Sequence, residues 1–295
     1  MQLWQNWMRL LDLASRWCNN GMSILDEIFA NKRKEVERQK LLKPLEALQV
    51  EIELLNPPLD FVEALRGVHN QHPALIAEVK CASPSRGILA PGFDPLGLAR
   101  LYVENGAAAI SVLTDERYFK GHLDYLRQIS KEVNDGKAAS CQVPLLRKDF
   151  IFDPYQVFEA RVAGADAILL IVAALEPARL CQLQSLAHQL GMAVLVEVHD
   201  QAELDIALDC DSILLGINNR NLNDFSVDLN TTLSLRHLIP DSVRLVSESG
   251  IHTPEDVSLM AAVGVDAILV GEALVTAPDV SAQVRLLAQF DGCRV

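Results

Sequence analysis

The sequence predicts an α/β protein closed as a (β/α)8 TIM barrel with extra N-terminal helices. Past residue 70, eight short apolar runs alternate with helix-length connections. Most runs are too continuously apolar for a sheet with one wet face, which marks parallel strands buried on both sides. The second half of the chain also echoes the first at an offset of 100 residues. GADAIL at 164–169 returns as GVDAIL at 264–269, Pro154 matches Pro254, and Lys148 matches Glu248. Two half-barrels of four βα units predict that pattern, whereas a doubly wound sheet does not require it. Neither G-x-G-x-x-G nor GxxxxGK[ST] occurs, which weakens the nucleotide-fold alternative.

Residues 1–21, MQLWQNWMRLLDLASRWCNNG, hold all three tryptophans and stop at Asn-Asn-Gly. They read as an extension, helical or disordered, ahead of a single barrel domain at 22–295. Asp12 and the lack of an Arg-rich pattern count against a transit peptide. A cytoplasmic protein is expected, with organellar targeting by residues 1–21 left open. Between 22 and 70, SILDEIFANKRKEVERQK carries apolar residues at 24, 25, 28 and 29, a charged far face, and Ser23 as an N-cap. A shorter helix, LDFVEALRG, follows the Asn-Pro-Pro break. Both are expected to close one end of the barrel.

The eight strands follow: LIAEVK (75–80), AAAISVLTD (107–115), PLLRKDF (144–150), AILLIVA (167–173), AVLVEVH (193–199), SILLGINN (212–219), VRLVSES (243–249) and AILVGEAL (267–274). Connections such as DPLGLARLYVENG and DPYQVFEARVAG open on Asp-Pro and close near Gly, the start and stop signals of helices.

A formal net charge of −13 argues against a nucleic-acid surface, and no stretch approaches the roughly 20 apolar residues of a membrane span. The six cysteines (18, 81, 141, 181, 210 and 293) form no CxxC pair and read as free thiols. No His/Cys/Asp constellation has metal-ligand spacing, so metal-free chemistry is expected.

Chemistry in such a barrel sits where strands end. Strand 1 supplies Glu78 and Lys80, two apart and therefore on one face. Strand 3 supplies Lys148, strand 5 Glu197, strand 6 Asn218 with Arg220 two residues on, and strand 7 Glu248 and Ser249. A salt-bridge plug is the bland alternative, but burying so many charges is costly and apolar packing is often as stable. A lysine among glutamates stays protonated and can serve as a general acid, with a glutamate as base. His199 and His252, just beyond strand ends, read as solvated loop histidines. Glycines in SGI (249–251) and GEAL (271–274) follow strands 7 and 8, where backbone N–H groups commonly bind phosphate. Taken alone, these residues describe a phosphosugar barrel enzyme with lysine and glutamate catalysis.

The runs IAEVKCASPSRG, SVLTDERYFKG, LLRKDFIFDPYQV, GADAILLIVA, LVEVHD, GINNRNL, VSESGI and GVDAILVGEAL, in this order from about residue 22 to 277, resemble indole-3-glycerol phosphate synthase. The resemblance implies a cofactor-free lyase of tryptophan biosynthesis. Its reaction closes a ring in 1-(2-carboxyphenylamino)-1-deoxyribulose 5-phosphate, releasing carbon dioxide and water. It implies Lys148 as general acid and Glu197 as general base, with Glu78, Lys80 and Asn218 shaping the second half of the reaction. Ser83, Arg220, Glu248 and Ser249 match binding positions, and Gly250, Gly271 and Glu272 fall at the phosphate loops. Pro84, Phe119, Phe150, Leu169, Ile171 and Leu222 are candidates for an apolar wall around the aryl ring, each equally open to a packing role.

Two positions depart from the family pattern. Cys81 stands where a second basic residue is usual, and Ala273 replaces a common serine. Neither touches the acid or base. Two rivals remain at this stage. One is a phosphosugar aldolase using Lys148 as a Schiff-base nucleophile; the other is a silent barrel that only binds phosphate or a partner. The expected ligand is a small phosphosugar, with neither nucleic acid nor membrane, and docking on other tryptophan-pathway enzymes is left open.

Overall fold

In the computed structural model, the described residues are 24–66, 72–84, 86–90, 92–134, 142–222 and 224–290. The extension at 1–21 and the cap expected at Ser23 lie outside them. Eight strands close a barrel: β1 (Ala74–Val79), β2 (Ala109–Leu113), β3 (Leu145–Lys148), β4 (Ala167–Ile171), β5 (Ala193–Val198), β6 (Leu214–Asn218), β7 (Arg244–Glu248) and β8 (Ala267–Val270). Every neighbouring pair is parallel, and β1 meets β8 from Ala74–Ala267 to Ala77–Val270. The strand periodicity divides the core in two. Ile76, Leu146, Leu169, Leu195, Val246 and Leu269 share one cluster in the barrel interior. Their neighbours Leu75, Leu145, Ile168, Val194, Leu245 and Ile268 pack outward against the helices.

Because successive side chains alternate faces, extending each inward column by two residues predicts what reaches the mouth. Ile76 leads to Glu78, Leu146 to Lys148, Leu195 to Glu197, and Val246 to Glu248. The apolar interior thus gives way to charge at the carboxyl end of the barrel.

Eight helices face the outward core: α4 (Pro95–Glu104), α6 (Leu123–Asn134), α7 (Pro154–Val162), α8 (Pro177–Gln189), α9 (Gln201–Asp209), α10 (Asn230–Arg236), α11 (Pro254–Ala262) and α13 (Val280–Ala288). Two short helices, α5 (Glu116–Phe119) and α12 (Glu272–Val275), follow β2 and β8. The Asp-Pro openings act as expected. Asp94 and Asp153 cap α4 and α7 with Pro in the first turn, and Asp153 forms a capping box with Gln156. The repeat is structural as well. Thr253 and Asp256 form the matching box on α11. Gly164 and Gly264 both take left-handed φ, +86° and +75°. Asp166 and Asp266 each accept a backbone N–H near the start of the preceding strand, from Leu145 and Leu245, at 2.8 Å.

The N-terminal helices α1 (Ile24–Leu42), α2 (Leu45–Ile52) and α3 (Phe61–Ala64) were expected at one end; they serve both. Phe61, with Leu65 just beyond α3, is buried against Ala74, Ala167, Leu214 and Ala267, the first residues of four strands, so this segment plugs the bottom. At about 1.5 Å per residue α1 spans nearly 30 Å, long enough to reach the opposite mouth. There Phe29 packs edge-on against Phe150 and Phe152, at 5.6 and 5.8 Å.

A buried ion cluster fixes α1. Lys32, 1% exposed, places Nζ 2.9 Å from Asp149 and 3.0 Å from both Asp115 and Glu35. Arg147 approaches the other Asp149 oxygen at 3.0 Å and Glu159 at 2.9 Å. Burial alone would raise the Asp149 pKa, but Lys32 and Arg147 hold it well below the usual carboxylate range.

The free-thiol expectation needs correction. Cys181 on α8 and Cys210 at the end of α9 are joined in a disulfide, with Cα atoms 5.3 Å apart. They stand 29 positions apart in the chain, so only the packing of adjacent helices brings them into bridging range. Cys81 is free, while Cys18, Cys141 and Cys293 lie outside the described residues. Among the described residues, no helix is long and apolar enough to cross a membrane.

Lys32→Met leaves Asp115 and one oxygen of Asp149 buried without their cation, so unfolding free energy should fall by about 3 kcal/mol in urea titrations. Asp149 has a depressed folded pKa; its stabilisation is present above the unfolded value of 3.8 and is lost as pH falls toward the folded value. The variant should therefore lose less stability than wild type below pH 4. An equal acid loss in both would show that the pair does not stabilise α1.

Candidate active site

The inward columns deliver their polar ends to one cavity of about 470 Å³ at the mouth. Lys148, at the end of β3, lies between two carboxylates. Its Nζ is 2.8 Å from Glu197 Oε2 on β5 and 2.8 Å from Glu248 Oε2 on β7. The repeat partners Lys148 and Glu248 therefore meet across the barrel. Burial would strip the lysine of its proton, but Glu197, Glu248 and Glu78 overcome that and hold its pKa above the ordinary lysine range. The two glutamates diverge. Burial opposes ionisation of Glu197, yet Lys148 and His199 hold its pKa well below the ordinary range. Burial, with repulsion from Glu197 and Glu78, pushes Glu248 up to about 7 against the pull of Lys148.

A second pair stands beside this triad: Lys80 Nζ is 3.0 Å from Glu78 Oε1 and 5.7 Å from the centre of the Phe119 ring. Asn218 donates Nδ2–H to Glu197 Oε1 at 3.1 Å and accepts the Arg220 backbone N–H through Oδ1. At the rim, Glu272 reaches Arg86 at 3.1 Å and Arg220 at 3.8 Å.

Two glycines make room for the carboxylates. A Cβ on Gly216 would lie 2.2 Å from Glu248 Oε1, and one on Gly271 would lie 2.3 Å from Glu78 Oε1. Each occupies an inward position where any side chain would evict a glutamate. Gly271, selected from sequence for its backbone N–H, therefore has this steric duty as well. Ser249 and Gly250 turn the chain after β7 through left-handed φ values of +67° and +84°.

All the residues singled out from sequence line this cavity: Glu78, Lys80, Ser83, Pro84, Phe119, Lys148, Phe150, Leu169, Ile171, Glu197, Asn218, Arg220, Leu222, Glu248, Ser249, Gly250, Gly271 and Glu272. Leu169 and Ile171 also belong to the interior core, so packing and cavity wall are not alternatives for them. Sequence reasoning missed Ile24, Leu25 and Ile28 of α1, and Arg86, Phe225, Val227 and Ile251 from the loops. The apolar stripe at 24, 25 and 28 was visible, but which surface it faced was not.

His199 requires a correction: it is largely shielded rather than solvated, its side chain 14% exposed. Its Nδ1 is 2.9 Å from Glu203, and its Nε2 is 3.3 Å from Glu197 Oε1. Burial favours the neutral ring, but the two carboxylates raise its pKa to about 10. His252 is exposed at the cavity rim.

The family model described as "Indole-3-glycerol phosphate synthase" matches residues 25–287. A protein of that name from Roseiflexus castenholzii is 54% identical over 90% of this chain and 98% of its own length. One from Dehalococcoides mccartyi is 50% identical over 90% of this chain and 99% of its own. In fold, the chain is similar to 3-hexulose-6-phosphate synthase from Salmonella typhimurium, with a TM-score of 0.59 and 15% identity, covering 73% of this chain and 97% of that one.

Gly216→Ala should leave the fold intact by circular dichroism but drive Glu248 off Lys148, lowering turnover by about two orders of magnitude because the lysine loses one of the two carboxylates that hold it in place. Full turnover by a folded variant would show that Glu248 need not occupy this place.

Proposed function

The chain belongs to the indole-3-glycerol phosphate synthase family, and we propose that Lys148 and Glu197 are the acid and base of its reaction. The protein is a carboxy-lyase of tryptophan biosynthesis. It converts 1-(2-carboxyphenylamino)-1-deoxyribulose 5-phosphate to indole-3-glycerol phosphate, carbon dioxide and water.

The observation that carries the assignment is the charged Lys148 held 2.8 Å from each of two glutamates whose pKa values are driven apart. Such divergence is how one site keeps an acid and a base ready together. The ring carbon bearing the carboxylate attacks the ketone, and Lys148 protonates the carbonyl oxygen as the C–C bond forms. The carboxylate leaves as neutral carbon dioxide, returning its electron pair to the ring. The new hydroxyl then departs as water with a second proton, assigned here to Lys80, while Glu197 removes a proton from carbon. Water carries away two protons. One is replaced by the proton that Glu197 collects and the other from solvent, so the site resets. No electrons leave or enter, and the balance calls for no cofactor.

Arg220 and Lys80, with the backbone N–H groups of Gly250, Gly271 and Glu272, are assigned to the phosphate and carboxylate of the substrate. Ser83, Ser249 and Asn218 add neutral hydrogen-bonding groups. Pro84, Phe119, Phe150, Leu169, Ile171 and Leu222 are assigned to the aryl ring, and their apolar surface strengthens the charge contacts by excluding water. Cys81 leaves the mouth one cation short of the family pattern, and Ala273 removes a hydroxyl near the phosphate end. A cytoplasmic location and association with other enzymes of the pathway extend this reading and rest on the resemblance alone.

The Schiff-base rival is disfavoured because a nucleophilic lysine must be neutral, whereas three carboxylates keep Lys148 charged. Indole fluorescence on mixing protein with the anthranilate-derived ribulose phosphate tests the assignment. Wild type should form product. Lys148→Ala and Glu197→Gln should each lose roughly 10²–10⁴-fold in rate while still binding substrate. Wild type that binds substrate and releases no indole would favour the silent barrel instead. A borohydride-trapped adduct at Lys148 would favour the aldolase.

A further inference from the structure

Resting on the assignment of Glu197 as base, we infer that His199 is a positioning residue that keeps Glu197 ionised after Lys148 has given up its proton. Among the described residues, Glu197 has two cationic neighbours, Lys148 at 2.8 Å and His199 at 3.3 Å. Lys148 is spent when it protonates the carbonyl. From then until it is recharged, its neutral amine no longer favours the Glu197 carboxylate, while burial continues to oppose ionisation. That is the interval in which Glu197 must act as base. The Asn218 amide supplies a hydrogen bond and no charge.

His199 is built to remain charged through this interval. Its ring Nδ1 lies 2.9 Å from Glu203 Oε2, and the same oxygen accepts its backbone N–H at 2.8 Å. Glu203 is itself held at the start of α9, where Asp200 caps the helix by accepting the Glu203 backbone N–H at 3.0 Å. The run HDQAE thus folds a helix cap into a carboxylate clamp on one face of the imidazole. Its other edge is left for Glu197: Nε2 is buried, makes no hydrogen bond to the described residues, and faces Glu197 Oε1. The groups facing the ring are therefore Glu203 from α9 and Glu197 from β5. Facing Glu197 in turn are Lys148 from β3 and Asn218 from β6, with Glu248 of β7 beyond Lys148. His199 is absent from the cavity lining and acts only through Glu197. The N-terminus of α9 disfavours a cation nearby, and Glu203 offsets it.

A neutral side chain at 199 removes the remaining cation, raises the Glu197 pKa in the half-reacted complex, and moves the acid limb of the chemical step to higher pH. The free enzyme retains charged Lys148, so substrate binding and its pH dependence should not change.

The experiment is a single-turnover measurement of indole formation against pH for wild type, His199→Gln, Glu203→Gln and Glu197→Gln, with substrate affinity measured in parallel. His199→Gln should raise the acid limb by about one pH unit, and so lower the rate about tenfold at pH values below the limb, where one unit is a tenfold change in the ionised fraction. Its substrate affinity should stay within about twofold of wild type. Glu203→Gln, which leaves the imidazole in place but weakens its charge, should shift the limb the same way by less, and it decides the matter if His199→Gln fails to fold. A slower rate with an unmoved limb in both variants would overturn the inference and leave His199 a packing residue. Wild-type rate in Glu197→Gln would instead overturn the assignment of the base.

Discussion

A single ammonium group, Lys148, organises the mouth of this barrel. Buried lysine is stable as a cation only where carboxylates surround it, and Glu197 and Glu248 each approach to 2.8 Å. Two carboxylates around one cation cannot both be fully neutralised. One is driven to a low pKa and the other upward, so two glutamates beside the same lysine differ in how readily they hold a proton. The rest of the site follows from that constraint. Glycine is required at 216 because Glu248 fills the space a side chain would take, and Asn218 and His199 hold the remaining oxygen of Glu197.

The chain's internal repetition explains how such charges came to face one another. Residues 100 apart occupy equivalent places in two half-barrels, so the ends of β3 and β7 lie opposite across the mouth. Where the repeat keeps structure, it keeps chemistry that folds the backbone: the prolines opening α7 and α11, the left-handed glycines, and the aspartates at 166 and 266 that anchor the preceding strand. Where it diverges, at Lys148 and Glu248, the difference in sign places a cation against an anion.

Packing of the N-terminal helices joins stability to the site. Lys32 is nearly inaccessible and ties α1 to Asp149, the residue after Lys148. The same helix turns Ile24, Leu25 and Ile28 into the cavity. One ion cluster therefore joins the helix that walls the cavity to the end of β3.

Eight buried parallel strands, their helices and the residues at their carboxyl ends were legible in the amino-acid order, because period-two burial and helix caps are local properties. The columns from Ile76 to Glu78 or from Val246 to Glu248 need only the alternation of a strand. Other features depend on atoms distant in the chain. The side of the barrel that α1 covers depends on a buried lysine meeting Asp115 and Asp149, neither of which the helix pattern reveals. The Cys181–Cys210 bond depends on two helices packing side by side. The shielding of His199 depends on Glu203 folding back from a helix cap, and the need for glycine at 216 depends on a glutamate from the neighbouring strand. Distances between side chains that the chain brings together from afar are not encoded in spacing, and they alone decide which charge faces which.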